Sequence, residues 1–299
     1  TRELAPSGYP VSSRTVEDAL RAVGQMLVAM GADDIRLNSH GKIDFRLKRQ
    51  IAGYKRQDPP PNRVKPIPIQ ILRHVVTTAY ATDDPGNHAI ADMIIIAFFF
   101  LLRPGEYTGT ASDTCPFRLA DVQLWIGSLR ASAVSMPLAD LARATFGTLT
   151  FTSQKNGVRG EVIGLGRSGD PLFCPVLALH RRVSHLRQHN LPPDTPLATY
   201  VHRSRTYHIA PAHITAALRA SAALLGPSLG FLPSDINARS LRAAGAMALL
   251  CARVDSDIIR LLGRWRSDQM LCYLHVQAEP VMRHFARRMM HDGDFTLLP

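Results

Sequence analysis

Residues 261 to 275 read LLGRWRSDQMLCYLH and place Tyr273 nine positions after Arg264, in a stretch dense with arginine. A tyrosine hydroxyl ordinarily ionises near pH 10, so a tyrosine that attacks a phosphodiester needs surroundings that favour the phenolate and neutralise the charge growing on the phosphorus. Fixed guanidinium groups suit that task, because the planar fork binds phosphate oxygens in pairs and keeps its charge. A proton donor for the departing oxygen completes the chemistry, and a lysine on a hairpin can supply it. The chain holds candidates for each part: LLRPGEY with Arg103 and Glu106, Lys155 just before Asn156-Gly157, and ARSLRAAGAMALL with Arg239 and Arg242. Taken singly, each has an ordinary structural explanation. An arginine before Pro-Gly commonly ends a helix, polar hairpin tips are common, and a tyrosine on an amphipathic helix usually packs.

Composition narrows the class. A chain of 299 residues, 46% hydrophobic and 20% charged, can bury a large core and suits one large domain with a smaller one. Its 35 Lys+Arg against 24 Asp+Glu give a net charge of +11, which favours a polyanionic partner, double-stranded DNA above all. The longest apolar run, MIIIAFFFLL at 93 to 102, suits a buried helix better than a bilayer span, so no membrane is expected. Cys115, Cys174, Cys251 and Cys272 have no spacing that suits a metal or a disulfide framework. The chain reads as soluble, reduced and intracellular, without a signal peptide and without metal or cofactor.

The elements that must position these residues follow from periodicity and punctuation. PPPNRVKPIP at 59 to 68 cannot continue a helix and reads as a linker between residues 1–58, a short helical module, and residues 69–299. In the module, Ser13 or Thr15 is expected to cap a helix through VEDALRAVGQMLVAMG, and FRLKRQIAGYKRQ reads as a second helix. Residues 36 to 65 hold nine Lys/Arg against Asp44 and Asp58, a density suited to a phosphate backbone, with Arg46, Lys48, Arg49, Lys55 and Arg56 as its candidate contacts. After the linker, PIQILRHVVTTAY reads as a helix, and NHAIADMIIIAFFFLL as a buried one that ends at Arg103-Pro104-Gly105. A strand is expected around DVQLWI and a hairpin over GTLTFTSQKNGVRGEVIGL, with Lys155 at its tip. From Val176 onward the pattern is helical, and Val281, Met282, Phe285 and Met289 recur at helical spacing in the tail.

The conjunction of these pieces, in order, resembles the tyrosine recombinase (phage integrase) family over residues 66 to about 290, and GRWRSD is closest in wording to recombinases of eukaryotic mobile elements. The resemblance implies an α+β, predominantly α-helical fold: an integrase-like catalytic domain with a small antiparallel β-hairpin sheet, preceded by a short helical core-binding module. It implies DNA cleavage and rejoining through a 3′-phosphotyrosyl intermediate, without cofactor, by a homo-oligomer on DNA in a synapse of four subunits. Such a protein works where the DNA is, in the nucleus of a eukaryote or the nucleoid of a bacterium. Tyr273 matches the nucleophile, Arg103 and Arg242 the phosphate clamps, Glu106 the acid that orients Arg103, and Lys155 the proton donor. Two positions depart. Arg239 stands where the family usually has histidine; on a helix it shares a face with Arg242, but arginine cannot accept the phenol proton. At the second His/Trp position spacing favours Arg264, and chemical type favours Trp265. These departures leave a second function open, a catalytically impaired or domesticated DNA-binding relic of the same fold.

Overall fold

The computed structural model describes residues 11–59, 65–109, 115–152 and 160–265. The chain divides into two compact units, Thr1–Asn62 and Arg63–Pro299.

In the first unit, α1 (Ser13–Ala29) packs on α2 (Phe45–Gln57). The cap of α1 is Ser12, not Ser13 or Thr15: its hydroxyl accepts from the Thr15 backbone N–H at 3.2 Å. Ser13 instead ties the two helix ends together, its N–H and hydroxyl both donating to the Asp58 carboxylate. Gly24 leaves room where α1 meets the Asp34–Arg36 ion pair: a Cβ there would lie 2.3 Å from an Asp34 carboxylate oxygen, so that side chain would have to shift. No residue of α2 is buried, so its basic side chains face solvent.

The second unit is built around α4 (Pro85–Phe99), whose Ile94, Ile95 and Ile96 are all fully buried. A helix apolar on every side must be surrounded. Around it lie α3 (Ile69–Tyr80), α7 (Pro175–Gln188), α8 (Pro211–Leu229) and α9 (Ser240–Cys251). A carboxylate lies within this core: Asp92 is 2% exposed and accepts from the Tyr80 hydroxyl at 2.8 Å and from Arg181 Nε at 2.7 Å. Beside the helices, β1 (Val122–Ile126), β2 (Leu129–Ser132), β3 (Phe146–Phe151) and β4 (Glu161–Gly166) form an antiparallel sheet in the order β2-β1-β3-β4, with the short α6 (Leu138–Leu141) between β2 and β3. Strands β3 and β4 are the two arms of the expected hairpin; its Asn156-Gly157 turn and Lys155 lie outside the described residues. A second hairpin, β5 (Thr199–His202) with β6 (Arg205–His208), was not foreseen: its turn residues are Arg203 and Ser204, both at positive φ, where the usual sequence signal is Asn-Gly.

The end of α4 also differs from expectation. The helix stops at Phe99, four residues before Arg103-Pro104-Gly105, in a Schellman motif: Leu102 N–H donates to the Ala97 carbonyl at 3.0 Å and Leu101 N–H to that of Phe98 at 3.4 Å. Leu101 holds the left-handed position, φ 51°, that glycine usually takes. Pro104 then begins a helix: α5 (Pro104–Tyr107) has proline in its first turn, where the missing N–H costs no bond. At the far end of the described chain, α10 (Ser256–Leu262) is capped by Asp255. Among the described residues no helix is long and apolar enough to cross a membrane.

Candidate active site

Arg103 lies at the mouth of α5, and Glu106 one turn in. The Glu106 carboxylate, only 4% exposed at the residue level, receives three donors. The Arg103 backbone N–H donates to Oε2 at 2.8 Å, Arg103 Nη1 to Oε1 at 2.8 Å, and Arg264 Nη2 to Oε2 at 2.9 Å. The first contact satisfies a helix N-terminal donor and the other two are ion pairs, so α5 needs no side chain from Arg103 to cap it. Arg103 keeps 31% of its side chain exposed, while Arg264 keeps 1%.

Arg242 enters from α9, 3% exposed. Its Nη1 donates to the Leu101 carbonyl at 2.8 Å and its Nη2 to the Gly263 carbonyl, and its guanidinium lies 4.4 Å from the Trp265 ring centroid. Trp265 is therefore the flat support of Arg242, a cation–π contact within the usual reach. Arg264 follows α10 in the left-handed region, φ 56°. Its guanidinium lies 3.9 Å from the Phe151 ring centroid on β3. Burial pulls its pKa below the ordinary arginine value, with Glu106 opposing.

The cluster joins Arg103 and Arg264 through the Glu106 carboxylate, and Arg264 and Arg242 through the Leu101 carbonyl. Guanidinium groups gathered so closely suit an anion. The close approach of α9 to α4 makes this possible: Gly245 sits where a Cβ would come within 2.2 Å of the Phe98 carbonyl. Arg239 is placed differently. It is the residue before α9, exposed, with its backbone N–H on Asn237 Oδ1 at 2.9 Å, whereas Arg242 one turn later is buried. Tyr273 and Lys155 lie outside the described residues.

In the first unit, Lys48, Arg49 and Arg56 are exposed on α2. Arg46 is also exposed, though it contacts Asp44, and Lys55 pairs with Glu17 at 2.9 Å. The sequence reading did not anticipate the part played by the Leu101 carbonyl, which no residue type announces.

No protein-family model and no curated protein matches this chain. Solved structures do. A XerH site-specific recombinase bound to a palindromic difH substrate, in a post-cleavage complex, superposes with a TM-score of 0.52 at 11% identity, covering 94% of this chain and 73% of that one. A Tn1549 transposon integrase in complex with transposon right end DNA gives 0.50 at 14% identity, covering 94% of this chain and 80% of that one. The fold is that of the tyrosine recombinases and integrases, with a small antiparallel sheet on a helical body.

Proposed function

We propose that this chain belongs to the tyrosine recombinases and breaks and rejoins DNA. The observation that carries the reading is the meeting of Arg103, Glu106 and Arg242 around residues 101 to 106, although Arg242 is 141 residues from the Leu101 carbonyl it binds. Guanidinium groups held on rigid elements, the helix starts of α5 and α9, support this reading.

In this reading the Tyr273 Oη loses its proton to water and attacks the scissile phosphorus. The P–O5′ bond breaks, and the departing 5′ oxygen takes a proton from Lys155. Arg103 and Arg242 bind the non-bridging oxygens and offset the charge that grows in the transition state. Glu106 holds Arg103 in place, and Trp265 holds Arg242. The phosphotyrosyl bond stores the energy of the broken one, so attack by another 5′ hydroxyl reseals the strand without ATP. The exposed Arg46, Lys48, Arg49 and Arg56, together with Lys55, supply contacts to the phosphate backbone, and four protomers assemble on two duplexes.

A second reading is a DNA-binding relic of the same fold, favoured by Arg239 in place of a group able to accept a proton. One experiment separates the two. A pool of randomised duplexes, each nicked near the middle so that the cut fragment escapes, is incubated with the full chain, and protein-linked DNA is recovered under denaturing conditions. The enzyme reading gives covalent adducts that Tyr273→Phe abolishes. The relic reading gives DNA binding, weakened by salt, with no adducts.

A further inference from the structure

Arg264 stands at a position where the sequence resemblance calls for a group that touches phosphate, yet its guanidinium is turned into the protein. A guanidinium has five N–H donors. Nη1 of Arg264 donates to the carbonyls of Phe100 and Leu262, each at 3.2 Å. Nη2 donates to the Leu101 carbonyl at 3.1 Å and to Glu106 Oε2 at 2.9 Å. The fifth donor, on Nε, is buried without a partner among the described residues, and one face of the plane is covered by Phe151. Four donors are thus spent inside the protein. Both Nη groups are committed to protein acceptors rather than to a phosphate.

We propose that Arg264 is a positioning residue for the anion site, acting through Glu106 on Arg103 and through the Leu101 carbonyl on Arg242. The inference rests on reading the cluster as a phosphate site. Glu106 Oε2 is held from two directions, by the Arg103 backbone N–H and by Arg264, which leaves Oε1 directed at Arg103 Nη1. The Leu101 carbonyl is held by Arg264 Nη2 and by Arg242 Nη1. One rigid plane therefore sets where both other guanidinium groups sit. Lysine cannot replace it, because a single ammonium with three donors cannot span four acceptors on two sides of a plane. Tryptophan has one donor and histidine two, so neither family type could make the same set of bonds.

The test uses the full chain, inorganic phosphate, and the arginine Nε–H resonances. Phosphate is expected to shift the resonances of Arg103 and Arg242 and to leave that of Arg264 in place. Arg264→Lys and Arg264→Met are each expected to weaken phosphate binding by about 10- to 100-fold, the range seen when the support of a binding group is removed. A general loss of stability would not do this, so Leu218→Ala, in the core of α8, serves as a comparison matched for loss of Tm and should keep native phosphate affinity. The proposal is overturned if the Arg264 resonance responds to phosphate, if Arg103 and Arg242 do not, or if the Arg264 variants bind phosphate like the native chain. Adduct formation adds a second arm. Arg264→Met and Glu106→Gln should each slow it, and the double variant should be hardly slower than the worse single one, since both break the same link. Multiplied losses would contradict the link through Glu106. If the native chain forms no adduct but the phosphate results hold, the cleavage reading fails and the positioning role stands.

Discussion

Arg242 and Arg264 donate to the same oxygen, the carbonyl of Leu101, at 2.8 and 3.1 Å. That carbonyl is free to receive them because α4 has already ended. In the body of the helix it would be turned along the axis toward an N–H four residues on. The left-handed Leu101 turns the chain out of the helix, and the two arginines take the carbonyl's acceptor sites.

This predicts an unusual order of stability at position 101. Leu101 is 1% exposed and packs against Ala246 and Ile259, so Leu101→Ala should cost about 2 to 5 kcal/mol from lost packing. Glycine removes one more carbon and ordinarily costs more, but here it also relieves a left-handed backbone worth about 1 kcal/mol or more. Denaturant unfolding should find Leu101→Gly no less stable than Leu101→Ala. A clearly less stable glycine variant would mean that the strain at 101 is negligible.

Gly245 offers a sharper steric test. A methyl group there meets the Phe98 backbone carbonyl at 2.2 Å, and backbone cannot step aside as a flexible side chain can. Gly245→Ala raises helix propensity, which in an exposed helix would stabilise by about 1 kcal/mol. Here it should destabilise by about 2 kcal/mol or more, because α9 must move off α4. The move carries Arg242 away from Leu101, so phosphate affinity should fall with Tm. A Gly245→Ala chain as stable as the native one would show that the two helices do not need this approach.

Much of the fold was legible in the sequence, because burial writes itself as periodicity. The all-round apolar α4, the amphipathic α3 and α7, and, from the Asn156-Gly157 signal between them, β3 and β4 could each be read from residue type. The misses share a cause. The end of α4 and the β5–β6 turn both use left-handed residues that are not glycine or asparagine, namely Leu101, Arg203 and Ser204. Tertiary packing holds Leu101 in this conformation, the β5–β6 pairing holds Arg203 and Ser204, and no local signal marks them. In the same way Arg103, Glu106, Arg242 and Arg264 stand out by type, whereas the depth of Arg264 depends on a carbonyl more than 160 residues away.

Acid should weaken the second unit through His185. Its Nε2 accepts the Val201 backbone N–H at 2.9 Å, an acceptor role that protonation ends. Burial, then the nearby Arg182 and His189, hold its pKa at about 4, below the usual 6.5. A histidine with a depressed folded value binds its proton more readily when unfolded. Its contribution is therefore complete above pH 6.5 and is lost as pH falls from there toward 4. His180, also lowered by burial, acts in the same direction. Thermal melts of the native chain and His185→Gln at pH 7 and pH 4.5 isolate the first term: glutamine accepts the same N–H without titrating, so the variant should lose less Tm on acidification. Equal losses would remove His185 from the account.

On the proposed reading, Arg239 bears on how Tyr273 is activated. An exposed arginine beside the phosphate adds charge but cannot accept the phenol proton, and a general base typically contributes about 100- to 10,000-fold. A further cation where two arginines already serve should contribute less. Arg239→His is therefore expected to speed adduct formation at pH 7 by about 100-fold, and the native rate should climb steeply toward pH 9 as the phenol ionises unaided. If Arg239→His is slower at every pH, arginine is a working substitution at this position.

The central claim is that Tyr273 forms a covalent bond to the 3′ phosphate of a cut strand, and mass spectrometry of the trapped adduct tests it most directly. After nuclease digestion of the adduct and proteolysis, the account predicts a peptide spanning Tyr273 that carries a residual nucleotide linked through its 3′ phosphate. A nucleotide on any other residue, a 5′ linkage, or no modified peptide from protein that binds the same duplexes would contradict it.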